Sequence, residues 1–182
     1  MNKILHLLIA VLLCSNICFS QIKKASLQAS GLTCALCAKS IFTNLTSLAF
    51  IDSVDTDLES SSFLITFKNN AKIDIDAIRK KVEDAGFSIS KLMLTVDAAG
   101  LMIGDDLKIR IGDNVFHFIN VKSQSAPTSF EMRIINQGFL SAKEYKKFSS
   151  HSKISCYQPT KSLPCAMPAT ETGALGIYHV SL

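Results

Sequence analysis

Two cysteines three residues apart, Cys34 and Cys37, follow Gly31-Leu32-Thr33 in a chain of 182 residues. A pair at this spacing supports two kinds of chemistry. As thiolates, both sulfurs can converge on one soft ion such as Cu(I), Zn(II) or Hg(II). As a dithiol, the pair can exchange with a disulfide. The pattern around it reads as strand, glycine, helix, so Cys34 is expected in the loop and Cys37 in the first helical turn. The unpaired N–H groups and dipole of a helix N-terminus favour negative charge there. Cysteine pKa values fall in such a place, which raises the thiolate fraction. Only two protein ligands are evident, which suits an ion content with low coordination. Zinc usually takes four ligands, so Cu(I) fits best, with Zn(II) and Hg(II) left open.

The elements that must position this pair follow from periodicity. Lys24 to Ser30 alternates small apolar with polar residues, as a half-buried strand does. Ala35 to Leu48 carries Cys37, Ile41, Leu45 and Leu48 at helical spacing. Val54, Thr56 and Leu58 alternate with Asp55, Asp57 and Glu59, predicting a strand with an acidic outer face. Phe63, Ile65 and Phe67 mark the inward face of a third strand. Asp74 is placed to cap a second helix, with Ile75, Ile78, Val82 and Ala85 as its buried stripe and Gly86 as its stop. Leu92, Leu94 and Val96 mark a fourth strand. Strand, helix, strand, strand, helix, strand is the split βαβ arrangement.

With that order on the page, Gly31-Leu32-Thr33-Cys34-Ala35-Leu36-Cys37 resembles the metal loop of the heavy-metal-associated domain. This is the module of copper chaperones, periplasmic mercury-binding proteins and the N-terminal domains of metal-exporting ATPases. Its pattern is Gly-Met-Thr/His-Cys-x-x-Cys within βαββαβ. Glu83-Asp84-Ala85-Gly86-Phe87 resembles the family's segment after helix two, whose Gly-aromatic pair packs near the metal loop. The resemblance covers residues 23–96. It implies a ferredoxin-like fold, Cys34 and Cys37 as metal ligands, Gly31, Leu32 and Thr33 as loop support, Phe87 as a shield, and a metal-transporting or metal-receiving protein as partner. Leu32 stands where the family usually has Met, a change nearly neutral in volume. No lysine follows Phe87, as one does in some chaperones, so the chaperone subtype is less well marked than metal binding.

Residues 1–20 read as a secretory signal peptide. Asn2-Lys3 gives a short positive start, Ile4 to Leu13 an apolar core, and Cys18-Phe19-Ser20 small residues at −3 and −1 before Gln21. The apolar run is well short of the ~20 residues that span a bilayer. Lipid anchoring through Cys14 or Cys18 is disfavoured, because Leu13 and Ile17 stand where a small residue is wanted. Cleavage removes Lys3 and no acidic residue, taking the net charge from +4 to +3. An excess so small and scattered carries no nucleic-acid signal. Export to a periplasmic or extracellular space leaves Cys34, Cys37, Cys156 and Cys165 in an oxidising compartment.

Residues 97–182 read as a small β-rich domain, joined through Asp97-Ala98-Ala99-Gly100. Its strands are expected near Leu107–Ile111, Val115–Val121 and Phe130–Ile135, with a hairpin turn at Gly112-Asp113-Asn114. A short helix is expected over 141–148, with Ser141 and Glu144 as a capping box, followed by an irregular tail. Cys156 and Cys165 are expected to form a disulfide. The other reading is a second metal site with Met167, His151 or His179. His117 is expected to point outward from a strand, Arg79-Lys80-Lys81 to be a solvated face, and Met93 and Met102 to be packing residues. No catalytic constellation is visible, so the expectation is a binding protein and not an enzyme. Two other readings are kept: a thiol–disulfide redox domain using the same pair, and an interaction module whose C-terminal β domain carries the function.

Overall fold

The structure is a computed structural model and describes residues 21–32, 34–98, 100–151, 157 and 176–182. The signal-peptide segment, Thr33, Cys156, Cys165 and Met167 lie outside the described residues, as do the expectations attached to them.

The first half follows the expected order. β1 (Gln21–Ser30) leads into α1 (Ala35–Thr46), then β2 (Ile51–Asp57), β3 (Ser62–Phe67), α2 (Ile75–Asp84) and β4 (Ser88–Asp97). β1 pairs antiparallel with both β3 and β4, and β2 with β3, giving the order β2-β3-β1-β4. Ala25, Leu27 and Ala29 of β1 are buried while the residues between them are not. Ile75, Ile78 and Val82 form the buried stripe of α2, and the Asp74 carboxylate accepts the Ala77 N–H at 2.9 Å. That bond satisfies a donor with no partner inside the helix. At the other end Gly86 takes φ +86°. Its N–H donates to Glu83 O, and the Phe87 N–H reaches Val82 O. This is a Schellman stop, which needs a left-handed residue at Gly86.

β2 departs from expectation. Ile51 and Val54 are buried, whereas Thr56 and Leu58 are exposed. A register irregularity between Ile51 and Ser53 sets these two buried residues three apart, Thr56 is exposed near the strand's end, and Leu58 falls in the turn beyond it.

Four of the strands after residue 97 continue the same sheet, and two pair apart from it. They are β5 (Met102–Ile103), β6 (Lys108–Ile111), β7 (Asn114–Phe118), β8 (Gln124–Ser125), β9 (Ser129–Ile134) and, after α3 (Ala142–His151), β10 (Ile177–Ser181). β9 pairs antiparallel with β4 from Met93↔Arg133 to Asp97↔Ser129. The full order is β2-β3-β1-β4-β9-β10-β7-β6, with β5 and β8 as a separate pair. Two residues of the expected linker are tied to the sheet: Asp97 ends β4, and buried Ala98 donates its N–H to Thr128 O. β10 replaces part of the expected irregular tail and runs parallel to β7.

One hydrophobic core runs through both halves, from Leu27, Ile41 and Phe63 to Phe116, Phe118, Tyr178 and Val180. α2 joins them directly. The Tyr178 hydroxyl donates to Asp76 at 2.9 Å, and Asn114 donates to the Ile73 carbonyl at 2.8 Å. The Arg79 guanidinium pairs with Asp76 and Glu83 and lies 5.7 Å above the Phe139 ring. Arg79 is thus half-buried and engaged, and the expectation of a wholly solvated basic run fails there, because residues near 139 cover this side of α2.

A smaller cluster of Ile119, Ile135, Leu140 and Tyr157, with Tyr145 and Phe148 of α3, packs apart from the main core. Ser141 accepts the Glu144 N–H and donates to its carboxylate, and Glu144 pairs with Arg133 at 2.7 Å. The capping expectation holds. The Arg133 bond, with the Ser141 bonds, holds the Glu144 carboxyl below its ordinary pKa. His117 is not outward-facing. All of β7 is buried, because side chains on both of its faces are covered. Met93 is half-buried, but Met102 is exposed at 60% and does not serve as packing. Among the described residues, no helix is long and apolar enough to cross a membrane.

Candidate metal centre

The cysteine pair stands where β1 hands over to α1. Gly31 turns the chain with φ +76°, a conformation costly for a residue with a Cβ. Leu32 then drops back against the main core, half-buried. The loop is backed by the β2–β3 turn: Ser61 O accepts the Ala29 N–H at 3.3 Å, and Ser61 Oγ lies 3.5 Å from Leu32 O. The serine turn could be read from the sequence; its contact with the loop is long-range and left no local signal.

Cys34 is the N-cap of α1, with extended backbone angles (φ −143°, ψ 151°). Its carbonyl accepts the Ala38 N–H at 3.1 Å and its Sγ accepts the Cys37 N–H at 3.2 Å. A sulfur therefore occupies the position where capping oxygens usually sit, facing the positive end of the helix. No acidic residue occupies the first turn of α1, so nothing there opposes negative charge on sulfur. Ala38, Ile41 and Leu45 bury the opposite side of the helix and fix its axis.

The Cys34 and Cys37 Cα atoms are 5.3 Å apart, and the two sulfurs are bonded to each other as a disulfide. Both side chains thus point to the same place. Cys34 is exposed and Cys37 half-buried, and Leu36 between them is exposed at 79%. The site is an open tip that a partner could touch. Phe87 is half-buried and packs against the main core on the segment after α2. Among the described residues, no group of three or more His, Cys, Asp or Glu side chains is arranged to hold a metal ion, so none of these types joins the pair as a third ligand there.

The sequence separates His117 from His179 by 62 positions, but the parallel pairing of β7 and β10 makes them register partners. Their ring centroids are 5.3 Å apart, and the Tyr157 ring lies 4.7 Å from His179. Burial, then the neighbouring His117 and Lys108, pushes the His179 pKa down to about 4. Sequence reasoning attached His179 only to a tail site and missed this pairing.

Residues 26–88 match the model of the heavy-metal-associated domain. A probable copper-exporting P-type ATPase of Archaeoglobus fulgidus is 32% identical over 73 residues, which are 40% of this chain and 9% of that protein. The chain therefore spans less than a tenth of this curated relative. Among solved structures, the yeast copper transporter domain Ccc2a, determined in apo and Cu(I)-loaded states, is 28% identical. It covers 37% of this chain and 90% of its own, with a TM-score of 0.33. Apo-CopP from Helicobacter pylori is 26% identical, covering 36% of this chain and 97% of its own at a TM-score of 0.32.

Proposed function

We propose that a heavy-metal-associated domain, matched at residues 26–88, binds one Cu(I) between Cys34 and Cys37, in an exported protein that captures the ion or passes it to a partner. One observation carries this reading: two cysteines at an exposed helix N-terminus aim both sulfurs at one point. Loading starts from the reduced pair. Two electrons and two protons from a dithiol reductant convert the disulfide to two thiols, and Cu(I) then displaces both protons to form two copper–sulfur bonds. The helix N–H groups stabilise the resulting anionic site. Thr33 is assigned a supporting role by the family pattern. Transfer needs access, which Cys34 supplies: a partner thiolate adds as a third ligand before one of the pair leaves. The partner is a metal-transporting or metal-receiving protein. The role is binding and delivery, and Zn(II) and Hg(II) are the competing ions.

The test is an anaerobic Cu(I) titration of the reduced protein against a colorimetric chelator. One equivalent should bind, and Cys34→Ser or Cys37→Ser should each weaken binding at least ~100-fold, since one thiolate is half the ligand set. The bonded state of the pair favours one other reading, thiol–disulfide exchange. Catalytic turnover of a dithiol substrate, with no competition for Cu(I), would establish that reading and overturn the first.

A further inference from the structure

We propose that His117 and His179 form a second metal site, for a divalent ion of the imidazole-preferring class such as Cu(II), separate from the cysteine pair. β7 and β10 run side by side in parallel, and the register sets His179 against His117. The rings tilt 46° to one another with centroids 5.3 Å apart. Two imidazoles on neighbouring positions of one ion, with metal–nitrogen bonds of about 2.0 Å, bring their centroids to roughly 4.5–5 Å, the lower figure for a tetragonal ion such as Cu(II). Neighbouring strands hold the rings at a spacing from which a small ring rotation reaches that distance.

The second observation is Asp106. Its carboxylate Oδ1 lies 2.7 Å from His117 Nε2. A carboxylate accepts only, so Nε2 carries a hydrogen, and in the neutral ring the lone pair falls on Nδ1. That Nδ1 is buried and has no hydrogen-bond partner. A histidine oriented by a carboxylate on one nitrogen and open on the other is the usual arrangement of a metal ligand. A packing role alone gives no reason for it, since phenylalanine would fill the same space without stranding a polar atom. Asp106 is 78% exposed while the rings are 2% and 4% exposed, so the pair is sheltered yet lies one residue from solvent. No third His, Cys, Asp or Glu ligand stands with it among the described residues.

The experiment uses the untagged full chain carrying Cys34→Ser and Cys37→Ser, so that the first site is silent, titrated with Cu(II) alone. One equivalent should bind, with nitrogen hyperfine structure from two imidazoles in its paramagnetic resonance spectrum. Adding His117→Phe and His179→Phe keeps aromatic packing and should reduce binding below a tenth of an equivalent. Asp106→Asn should weaken affinity about tenfold with the nitrogen signature retained, as expected for a positioning residue. Should the double phenylalanine variant fail to fold, Cu(II) broadening of labelled histidine resonances in the parent decides: broadening confined to His117 and His179 supports the site. Broadening elsewhere, binding unchanged in the phenylalanine variant, or no Cu(II) bound by the parent overturns it.

Discussion

β1 and β7, one from each half of the sheet, are built on opposite terms. β1 alternates buried and accessible residues, because α1 and α2 cover one face only. β7 is buried at every position, because side chains on both of its faces are covered. A half with one covered face leaves its end loops open, and there the cysteine pair stands exposed. In the second half β7 and the middle of β10 are covered on both faces, and there the histidine pair lies. Burial of this kind goes with runs that lack alternation. The contrast teaches that accessible, exchangeable chemistry is at the tip of the first half, and sheltered chemistry is inside the second.

The most disruptive way to probe the contrast is Phe118→Ala. It opens a cavity in the shared core and should cost about 3–5 kcal/mol. Because that core is continuous, urea unfolding should remain one transition by far-ultraviolet circular dichroism and by probes placed in either half. Two separate transitions would divide the chain into independent units and break the comparison.

Acid gives the next largest effect. The folded-state pKa of His179 lies near 4, below its ordinary 6.5. The unfolded chain therefore binds the extra proton first. The associated stability is complete above pH 6.5 and is lost as pH falls toward 4. The lost contribution is on the order of 3 kcal/mol. His117 and Lys108 disfavour charge on this ring, Tyr157 packs on it, and Asp106 hydrogen-bonds His117. In His179→Phe the fall in melting temperature between pH 7 and 4.5 should be shallower. An unchanged slope would remove His179 as its cause.

Tyr178→Phe tests the link between halves. It deletes the hydroxyl bond to Asp76 of α2 and should cost about 1 kcal/mol by urea titration. Burial and the neighbouring Asp76 hold that phenol well above its ordinary pKa, so the bond persists across the neutral range. The smallest effect is expected at the tip. Leu36→Ala removes an exposed side chain and should change stability by no more than about 0.5 kcal/mol. A larger loss would mean that the tip is packed after all.

The first half was largely legible because each of its signals is local. Asp74 and Gly86 bracket α2, and Phe63, Ile65 and Phe67 alternate onto one face. The cysteine loop was legible for the same reason: Gly31, Cys34 and Cys37 sit within seven residues. What escaped the sequence depends on distant partners. His117 looked like a surface residue of a strand because nothing nearby in sequence announces β10 and His179 beside it. Arg79 looked solvated because Phe139 is sixty residues away. Asp97 to Gly100 looked like a linker because pairing of β4 with β9 has no local signature. Ile177 to Val180 is β-prone, and that was the available sign of β10.

The union of β4 with β9 also governs how the cysteine-bearing half could be handled alone. Cutting the chain after Asp97 would strip backbone donors and acceptors from Met93 to Asp97 of their partners and leave a ragged, adhesive border. The fragment would gain a surface that the intact molecule does not have, and self-association would follow from the severing itself, whatever the state of the thiols.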